Sequence, residues 1–244
     1  DMTVLKAGSP PRKPTPGSIA LVSQSGALAF TTFFERAADE AVGFAYIVST
    51  GNEAELTTTD YLAYLGEQPE VDVICTYIEG VDDPQEFVRV ADAVTRNGTP
   101  VLSVKIGKTE FAEAATLSHT GSLVGNDDAW EAAFEQTGIE RVDDIPELIG
   151  RASVHSSYSS PGGNRVCIAS TSGGLTSLLA DMAAENNIDL PPLTGETEQT
   201  LLDMDALLTF GELHNPIDIR GQGADVLPEI AEVVFADDSY DAYV

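Results

Sequence analysis

One histidine stands in a loop whose composition suits covalent chemistry. His119 lies in the motif LSHTGSL of the connection 106–126, which is longer than the ~2 to 6 residues that usually join a strand to a helix. A neutral imidazole is a nitrogen nucleophile at cellular pH, and the small neighbours Ser118 and Gly121 leave room for a reacting group. These features make His119 the candidate nucleophile, with a plain loop histidine as the alternative.

Charged side chains stand before this loop and at its start. Glu79 follows an apolar run, 71–78, and its carboxylate could orient an imidazole by accepting a hydrogen bond from one ring nitrogen. Lys105 and Lys108 stand at the start of the loop and could add positive charge near it. The alternative for all three residues is an ordinary position on the solvated surface.

The other histidines and the two cysteines indicate no second centre. His155 falls in a predicted linker and His214 in a predicted turn, whereas Cys75 and Cys167 lie inside apolar runs that are typical of buried thiols. The spacing of these side chains matches no zinc-binding pattern. We therefore expect no metal site.

Two turns rich in serine and glycine are the candidates for binding anions. Each follows an apolar strand and precedes a helix. Glycine allows a tight turn, and a helix N-terminus presents unpaired N–H groups and the positive end of the helix dipole. The residues predicted to bind phosphate are Ser23, Gln24, Ser25 and Gly26 in the first turn and Thr171, Ser172, Gly173 and Gly174 in the second.

A purely structural role is the alternative for both turns, because strand-to-helix turns generally favour serine and glycine. Two such turns at the C-terminal edge of a sheet favour ligand binding, since open α/β folds bind ligands there. Neither turn matches a Walker loop or a GxGxxG pattern, so neither is predicted to bind a nucleotide.

Apolar runs that alternate with amphipathic segments predict the elements that carry these residues. This alternation is typical of an α/β fold, in which helices cover both faces of a parallel sheet. In the first half the predicted strands are 18–22, 43–48, 71–77, 100–105 and 139–142, and the predicted helices are 27–38, 58–65, 84–97 and 128–137. In the second half a strand is predicted at 165–170, helices at 175–187, 197–208 and 226–236, and the start of another strand at 240–244.

Composition divides the chain into two domains. The proline-rich residues 1–16 predict a linker from a missing N-terminal domain, and the segment 155–164, HSSYSSPGGN, predicts a linker between domains. The domains are therefore expected at 17–154 and 165–244, with the second one truncated at its C-terminus.

The overall composition predicts a folded protein with an acidic surface. Of the 244 residues 43% are hydrophobic, which can fill cores, and the formal net charge is -28. Such a charge disfavours contact with nucleic acid or anionic membranes, and its self-repulsion predicts a halophilic protein that salt stabilises. No apolar run approaches the ~20 residues needed to cross a bilayer, so a soluble cytoplasmic protein is expected.

Several motifs resemble those of one family, in the same order. They are GSIALVSQSGAL from residue 17, STGNEAEL from 49, YIEG from 77 and LSHTGSLVG from 117, followed by STSGGL from 170 and NPIDI from 215. Together they resemble domains of the ADP-forming acyl-CoA synthetases, in the alpha subunit or the fused chain, across residues 17–244. The resemblance implies two flavodoxin-like three-layer domains with mainly parallel sheets, similar to succinyl-CoA synthetase.

The resemblance also implies a reaction. Members of this family interconvert acyl-CoA, ADP and phosphate with the free acid, CoA and ATP through an acyl phosphate and a phosphohistidine. That histidine maps onto His119 and the acid that steadies it onto Glu79, while the helices after the two turns face the phosphohistidine. No tightly bound cofactor is implied. CoA, ATP or ADP, and Mg²⁺ act as substrates that are handled mainly by a CoA-binding Rossmann-like domain and an ATP-grasp domain or subunit, which this chain is expected to lack.

Three other functions stay open at this point. The chain could be a regulatory or interaction module of a CoA-dependent acyltransferase, a flavodoxin-like binding protein without covalent chemistry, or a fragment that assembles only with a partner subunit. The sequence does not indicate the acyl group, the choice between ADP and GDP, or the oligomeric state.

Overall fold

The structure, a computed structural model, describes residues 15–40, 42–109, 111–112, 126–158, 162–204, 213–219 and 224–244. The chain forms two compact units, unit 1 at Asp1–Ser159 and unit 2 at Ser160–Val244, and each has its own hydrophobic core. The division falls inside the predicted linker 155–164.

Unit 1 is built on one parallel sheet of five strands in the order β2-β1-β3-β4-β5. The strands are β1, Pro16–Ser23; β2, Phe44–Ser49; β3, Val73–Ile78; β4, Val101–Lys105; and β5, Glu140–Val142. This order, which reverses at β1, is that of flavodoxin-like folds. All five strands predicted for this part of the chain are confirmed.

Helices cover both faces of this sheet. A π-helical segment, Leu28–Phe33, continues into α1, Phe34–Asp39, and the other helices are α2, Thr58–Leu65; α3, Pro84–Arg96; α4, Asp127–Thr137; and α5, Ile145–Ser157. Side chains cap the free N–H groups at the helix starts: Thr57 forms a capping box with Asp60 at α2, and Asp83 accepts hydrogen bonds from the first turn of α3. The four predicted helices are confirmed, the first as a π segment followed by an α-helix.

Alternation along β1 separates two cores. Ile19 and Leu21 point to a core shared with the π segment, α1 and α5, whereas Ala20 and Val22 point to a core shared with α2, α3 and α4. Successive residues of a strand face opposite sides of the sheet, so a strand that is covered on both faces must be apolar throughout. Unit 1 therefore has the three-layer arrangement that the fold class predicts.

Helix α5 corrects the sequence prediction at the end of unit 1. The sequence predicts no helix there and a linker from His155, yet α5 continues to Ser157. Leu148 and Ile149 of this helix are buried against the sheet, and their packing outweighs the weak helix propensity of the serines in the last turn. His155 consequently lies in a helix, with its Nε2 atom 3.0 Å from Oε1 of Glu140.

The described residues of unit 2 form two short parallel strand pairs and three α-helices. Strand β6, Val166–Cys167, pairs with β9, Ala242–Tyr243, and β7, Ala169–Ser170, pairs with β8, Ile217–Asp218; the helices are α6, Gly173–Glu185; α7, Gly195–Leu202; and α8, Leu227–Phe235. The predicted strand 165–170 is thus split at Ile168, and the strand predicted within 240–244 is confirmed.

Helix α7 ends earlier than the predicted span 197–208. Its last residue is Leu202, and the Met204 N–H then bonds to the Leu201 carbonyl at 3.2 Å. This contact over three residues tightens the final turn and closes the helix. Residues 205–208 lie outside the described part of the chain.

One ion pair joins the residues that directly precede β6 and β9, the first and last strands of unit 2. Nη2 of Arg165 donates to Oδ1 of Asp241 at 2.7 Å, while its Nε and its backbone N–H donate to Oδ2 at 3.0 and 2.9 Å. These hydrogen bonds lower the pKa of the Asp241 carboxyl to about 2. The pair fixes the end of the chain beside β6.

No helix in the described ranges has both the length and the apolar character that crossing a bilayer requires.

Candidate functional site

The C-terminal ends of four strands of unit 1 lie along one edge of its sheet. The register places Ser23 of β1 beside Ser49 of β2 and Tyr77 of β3, and Ile78 of β3 beside Lys105 of β4. The predicted site residues of unit 1 that the structure describes stand at or just after these positions. This is the edge at which open α/β folds bind ligands.

The first predicted turn is held together by its own serines. Ser23 is buried, and its Oγ donates to the Ser25 carbonyl at 2.8 Å and accepts from the Ser25 N–H at 3.1 Å. Oγ of Ser25 accepts from the Leu28 N–H at 3.4 Å, at the start of the helical segment. A Cβ atom on Gly26 would lie 3.2 Å from Oγ of Ser49, so glycine allows the end of β2 to come close. The turn presents a helix N-terminus at the sheet edge, which suits an anion.

The side chain of Gln24 forms hydrogen bonds to backbone groups at the end of β3. Its Nε2 donates to the Gly80 carbonyl at 2.7 Å, and its Oε1 accepts from the N–H groups of Glu79 at 2.5 Å and Gly80 at 3.1 Å. Its own N–H donates to the Tyr77 carbonyl at 3.1 Å. The phosphate contact that the sequence predicts for Gln24 stays a prediction. The structure shows that its side chain links the first turn to the end of β3, because a carboxamide matches the donor and acceptor of a peptide group.

Glu79 lies directly after β3, as the sequence predicts. Its side chain is not a solvated loop acid, because Glu79 is only 8% exposed. Burial, and to a lesser degree the charge of Glu79, raises the pKa of the Tyr77 hydroxyl. The side chain of Glu79 is therefore largely shielded from solvent at the sheet edge.

The two lysines at the start of the predicted loop differ. Lys105 is 1% exposed, its Nζ lies 5.0 Å from the centre of the Trp130 ring, and it donates to the Ile106 carbonyl. Lys108 is exposed, and its Nζ lies 2.6 Å from Oδ1 of Asp143. The surface alternative is thus wrong for Lys105 and correct for Lys108.

The predicted nucleophile His119 and its neighbours Ser118 and Gly121 lie outside the described residues, so their roles stay predictions. The described chain enters this connection at the end of β4 and leaves it at Asn126, whose Oδ1 accepts from the Asp128 N–H at 2.8 Å and caps α4. Because α4 leads back to the parallel strand β5, its N-terminus lies at the same edge as the end of β4. Both ends of the connection 106–126 are therefore at the edge that carries Glu79.

The second predicted turn, in unit 2, repeats a hydrogen bond of the first. Ser170 is buried, and its Oγ accepts from the Ser172 N–H at 3.2 Å, just as Oγ of Ser23 accepts from the Ser25 N–H at 3.1 Å. Ser172 then caps α6, because its Oγ accepts from the Leu175 N–H at 3.4 Å. The two turns are built in the same way.

Asp218 is an acid at the second turn that the sequence prediction missed. It pairs with Ser170 across β7 and β8, and a Cβ atom on Gly173 would lie 2.6 Å from Oδ2 of Asp218. Thr171 and Gly174, the other two residues predicted for this turn, are close to Gly173 in the sequence. A carboxylate at the N-terminus of α6 takes part of the space predicted for an anion. The available signal was the NPIDI motif, which contains Asp218.

Asn215 of the same motif is a second residue that the sequence prediction missed. Its Oδ1 accepts from the Ile168 N–H at 3.0 Å, and its Nδ2 donates to the carbonyls of Val166 at 2.8 Å and Pro191 at 2.9 Å. Like Gln24 in unit 1, it fastens separate backbone segments with a carboxamide. This contact holds the start of β8 beside β6 and β7.

The titratable side chains in the described ranges include no group of three or more His, Cys, Asp and Glu residues placed to hold a metal ion. Both cysteines are buried free thiols, as the sequence predicts. Burial raises the pKa of Cys75, and it raises the pKa of Cys167 to about 12. Both thiols are therefore protonated and unreactive at cellular pH.

Residues 16–155 match the family described as the succinyl-CoA ligase like flavodoxin domain. The chain is 36% identical over 211 residues to an ADP-forming acetate–CoA ligase of Archaeoglobus fulgidus. This match covers 86% of the chain and 30% of the relative. It is 36% identical over 203 residues to the alpha subunit of ADP-forming acetate–CoA ligase II of Pyrococcus furiosus, covering 83% and 43%. It is also 34% identical over 209 residues to the ADP-forming 4-hydroxybutyrate–CoA ligase of Nitrosopumilus maritimus, covering 85% and 29%. The chain thus spans less than half the length of these relatives.

Among solved structures, the chain is similar to the dinucleotide-forming acetyl-coenzyme A synthetase 1 of Candidatus Korarchaeum cryptofilum in complex with phosphate and ADP. The TM-score is 0.82 at 28% identity, and the match covers 95% of this chain and 50% of the other. A Pyrococcus horikoshii protein matches with a TM-score of 0.78 at 28% identity, over 93% of this chain and 47% of that one.

Proposed function

Because the chain belongs to the succinyl-CoA-ligase-like flavodoxin domain family, we propose that it is part of an ADP-forming acyl-CoA synthetase, an acid–thiol ligase. Such an enzyme interconverts acyl-CoA, ADP and phosphate with the free acid, CoA and ATP. The support comes from relatives that are ADP-forming ligases and from the solved synthetase that holds phosphate and ADP. These relatives do not favour a regulatory module of an acyltransferase.

In the proposed mechanism His119 carries the phosphoryl group, with Ser118 and Gly121 as its small neighbours. A neutral ring nitrogen attacks the phosphorus of the acyl phosphate, and the P–O bond to the acyl group breaks so that the carboxylate leaves with the bonding electrons. An oxygen of the terminal phosphate of ADP then attacks the same phosphorus. This second step forms ATP and releases the imidazole.

Glu79 is proposed to orient His119. A carboxylate that accepts the N–H of one ring nitrogen fixes the tautomer, leaves the other nitrogen free to attack and stabilises the positive charge that develops on the ring. The burial of Glu79 supports this role, because Glu79 is 8% exposed at the end of β3 and its side chain is largely shielded from water.

Each of the two turns is proposed to bind phosphate within its own unit. One contact between an anion and a helix N-terminus contributes ~0.3 to 1 kcal/mol when exposed and up to ~2 kcal/mol when partly buried. In unit 1 the hydroxyl of Ser23 is used to shape the turn, so the donors for the anion are N–H groups near Gly26. In unit 2 the anion shares the start of α6 with the carboxylate of Asp218.

The observation that carries the proposal is the arrangement at one edge of the unit 1 sheet. The buried Glu79, the first turn and both ends of the connection 106–126 lie there together. A phosphoryl-carrying loop needs an orienting acid and an anion-binding turn close to the points where it is anchored, because reacting groups must be held in a defined geometry.

Binding of CoA and of nucleotide is proposed for other parts of the enzyme. The chain covers 30% of the A. fulgidus relative and 43% of the P. furiosus alpha subunit, which leaves room for further domains. A CoA-binding Rossmann-like domain and an ATP-grasp domain or subunit with Mg²⁺ complete the reaction, without a tightly bound cofactor. We place the enzyme in a cytoplasm rich in salt, because the net charge of -28 requires screening.

The test is detection of phosphate on His119. The complete enzyme, with its ATP-grasp part, is incubated with ATP and Mg²⁺ in molar salt, and acid-labile phosphate is measured by intact mass and peptide mapping. We expect a phosphoryl group on the peptide that contains His119, its loss when ADP is added, and no label on His119→Ala. An unlabelled His119 in a folded and active enzyme would refute the mechanism.

A further inference from the structure

Gln24 extends the hydrogen bonding between β1 and β3 past the ends of both strands. The two strands pair up to Ser23 and Tyr77. Beyond that point the Gln24 side chain forms hydrogen bonds of 2.5 Å to the N–H of Glu79 and of 3.1 and 2.7 Å to the N–H and the carbonyl of Gly80. The carboxamide thus donates one hydrogen bond and accepts two.

Both sides of this link are fixed by other contacts. The hydroxyl of Ser23 bonds to the N–H and the carbonyl of Ser25, so Gln24 projects from a closed turn. On the other side the Ile78 carbonyl accepts from the Ile106 N–H at 3.2 Å, at the end of β4. The backbone that carries Glu79 is therefore held from both neighbouring strands.

We propose that Gln24 is a positioning residue that sets the place of the Glu79 carboxylate relative to the first turn. The inference rests on the proposed function, in which Glu79 orients His119 and the first turn stabilises the phosphoryl group. Gln24 contacts both, because it belongs to the turn and its Oε1 accepts from the peptide N–H of Glu79 at 2.5 Å. If that peptide turns, the carboxylate moves away from the site that the turn defines.

The chemistry of the side chain makes this role specific to glutamine. Alanine at position 24 removes all three hydrogen bonds. Glutamate keeps the two accepted bonds, but an ionised carboxylate cannot donate to the Gly80 carbonyl and adds a negative charge close to Glu79. The two variants therefore remove the link to different degrees while occupying the same position.

The experiment uses the complete synthetase in molar salt and follows the rate of phosphohistidine formation from ATP across pH. A misplacement of about 1 Å can cost about 100-fold in rate, so for Gln24→Ala we expect a rate lower by roughly 10- to 100-fold. Its pH profile should shift toward that of Glu79→Gln, while the KM for ATP in this reaction stays unchanged. Gln24→Glu should also be slower than the wild type.

A double-mutant cycle and a matched control separate this role from a general loss of structure. In the Glu79→Gln background, Gln24→Ala should cause little further loss, because residues that act through each other are not additive. The control is Gln68→Ala, which also removes a bond from a glutamine Nε2 to a backbone carbonyl, that of Tyr64 at 2.9 Å, but lies after α2. This variant should keep the wild-type rate and pH profile.

The inference is overturned if the wild type becomes labelled and the Gln24 variants have the same rate and pH profile as the wild type. It is also overturned if Gln24→Ala lowers the rate by the same factor in the Glu79→Gln background as in the wild type. An unlabelled wild type overturns the proposed function and this inference together. If Gln24→Ala does not fold, the nearly isosteric Gln24→Glu takes its place and the same comparisons decide.

Discussion

At the scale of single residues, the position of a lysine in a strand decides whether it is solvated. Lys105 is the last residue of β4, and all residues of that strand are buried. A central parallel strand is covered on both faces, so its lysine buries the aliphatic chain, and here the ammonium group lies near the ring of Trp130. The apolar run before Lys105 indicated that this lysine is buried. The predicted loop that begins at the next residue indicated equally well that it lies on the surface.

Lys105→Ala should destabilise unit 1. The change removes a buried side chain and leaves a cavity beside Trp130, so we expect the free energy of unfolding to fall by about 2 to 5 kcal/mol. Lys108→Ala is the control and should change it by less than about 0.5 kcal/mol, because Lys108 makes a surface ion pair. Urea unfolding in molar salt, followed by the fluorescence of Trp130, measures both. Equal effects of the two substitutions would contradict the burial of Lys105.

Side-chain partners that are distant in the chain could not be predicted from the sequence. Gln24 bonds to Gly80, 56 positions away, and Asn215 bonds to Val166, 49 positions away. No local pattern encodes such partners, because they depend on which strands become neighbours. The location of Glu79 was predictable, since the end of an apolar strand is enough to place it at the sheet edge.

At the scale of elements, the apolar runs predicted the strands of unit 1 well and the helix ends less well. The apolar runs of β3 and β4 are continuous, and such a run is typical of a parallel strand that is covered on both faces. Helix α5 was missed altogether, and its last turn, with His155 followed by serines, has the composition of a linker. Packing and capping decide such ends: Oδ1 of Asp144 accepts from the Glu147 N–H at 2.8 Å and starts α5.

Gly43→Ala should weaken the pairing of β1 and β2. A Cβ atom on Gly43 would lie 2.5 Å from the Pro16 carbonyl oxygen, and one on Gly17 would lie 2.3 Å from the Gly43 carbonyl carbon. Backbone atoms cannot rotate away, so we expect a cost of about 1 to 3 kcal/mol or more. Thermal unfolding in molar salt measures it.

The matched control for Gly43→Ala is Gly150→Ala in α5. A Cβ atom on Gly150 would meet nothing within 4 Å, and alanine favours a helix interior by up to ~1 kcal/mol over glycine. A stable Gly43→Ala variant would show that the strands do not approach each other in this way.

At the scale of the whole molecule, cations are scarce. The chain has 12 Lys and Arg residues against 40 Asp and Glu residues. Arg141 and Arg151 each form ion pairs with two acidic side chains, so a single positive charge is shared by two carboxylates. The remaining negative charge is compensated by ions in solution, whose screening length falls from about 10 Å at 0.1 M to about 3 Å at 1 M salt.

The thermal midpoint should rise between 0.1 M and molar salt. A screening gain of about 3 kcal/mol corresponds to an increase of about 6 to 12 °C for a chain of this size. Calorimetry at several KCl concentrations measures the midpoint. A variant with exposed acids such as Glu67 and Glu135 changed to glutamine is the control and should gain less from salt. A midpoint that does not depend on salt would rule out a halophilic protein.

The link made by Gln24 also restricts how this position can change over generations. A single-base change in a glutamine codon that alters the residue gives Glu, Lys, Arg, His, Leu or Pro, and none of these carries a carboxamide. Asparagine, the other carboxamide, is not one base away and is shorter by one methylene group. A lineage can therefore leave glutamine at position 24 only through an intermediate that has lost at least one of the bonds to Glu79 and Gly80.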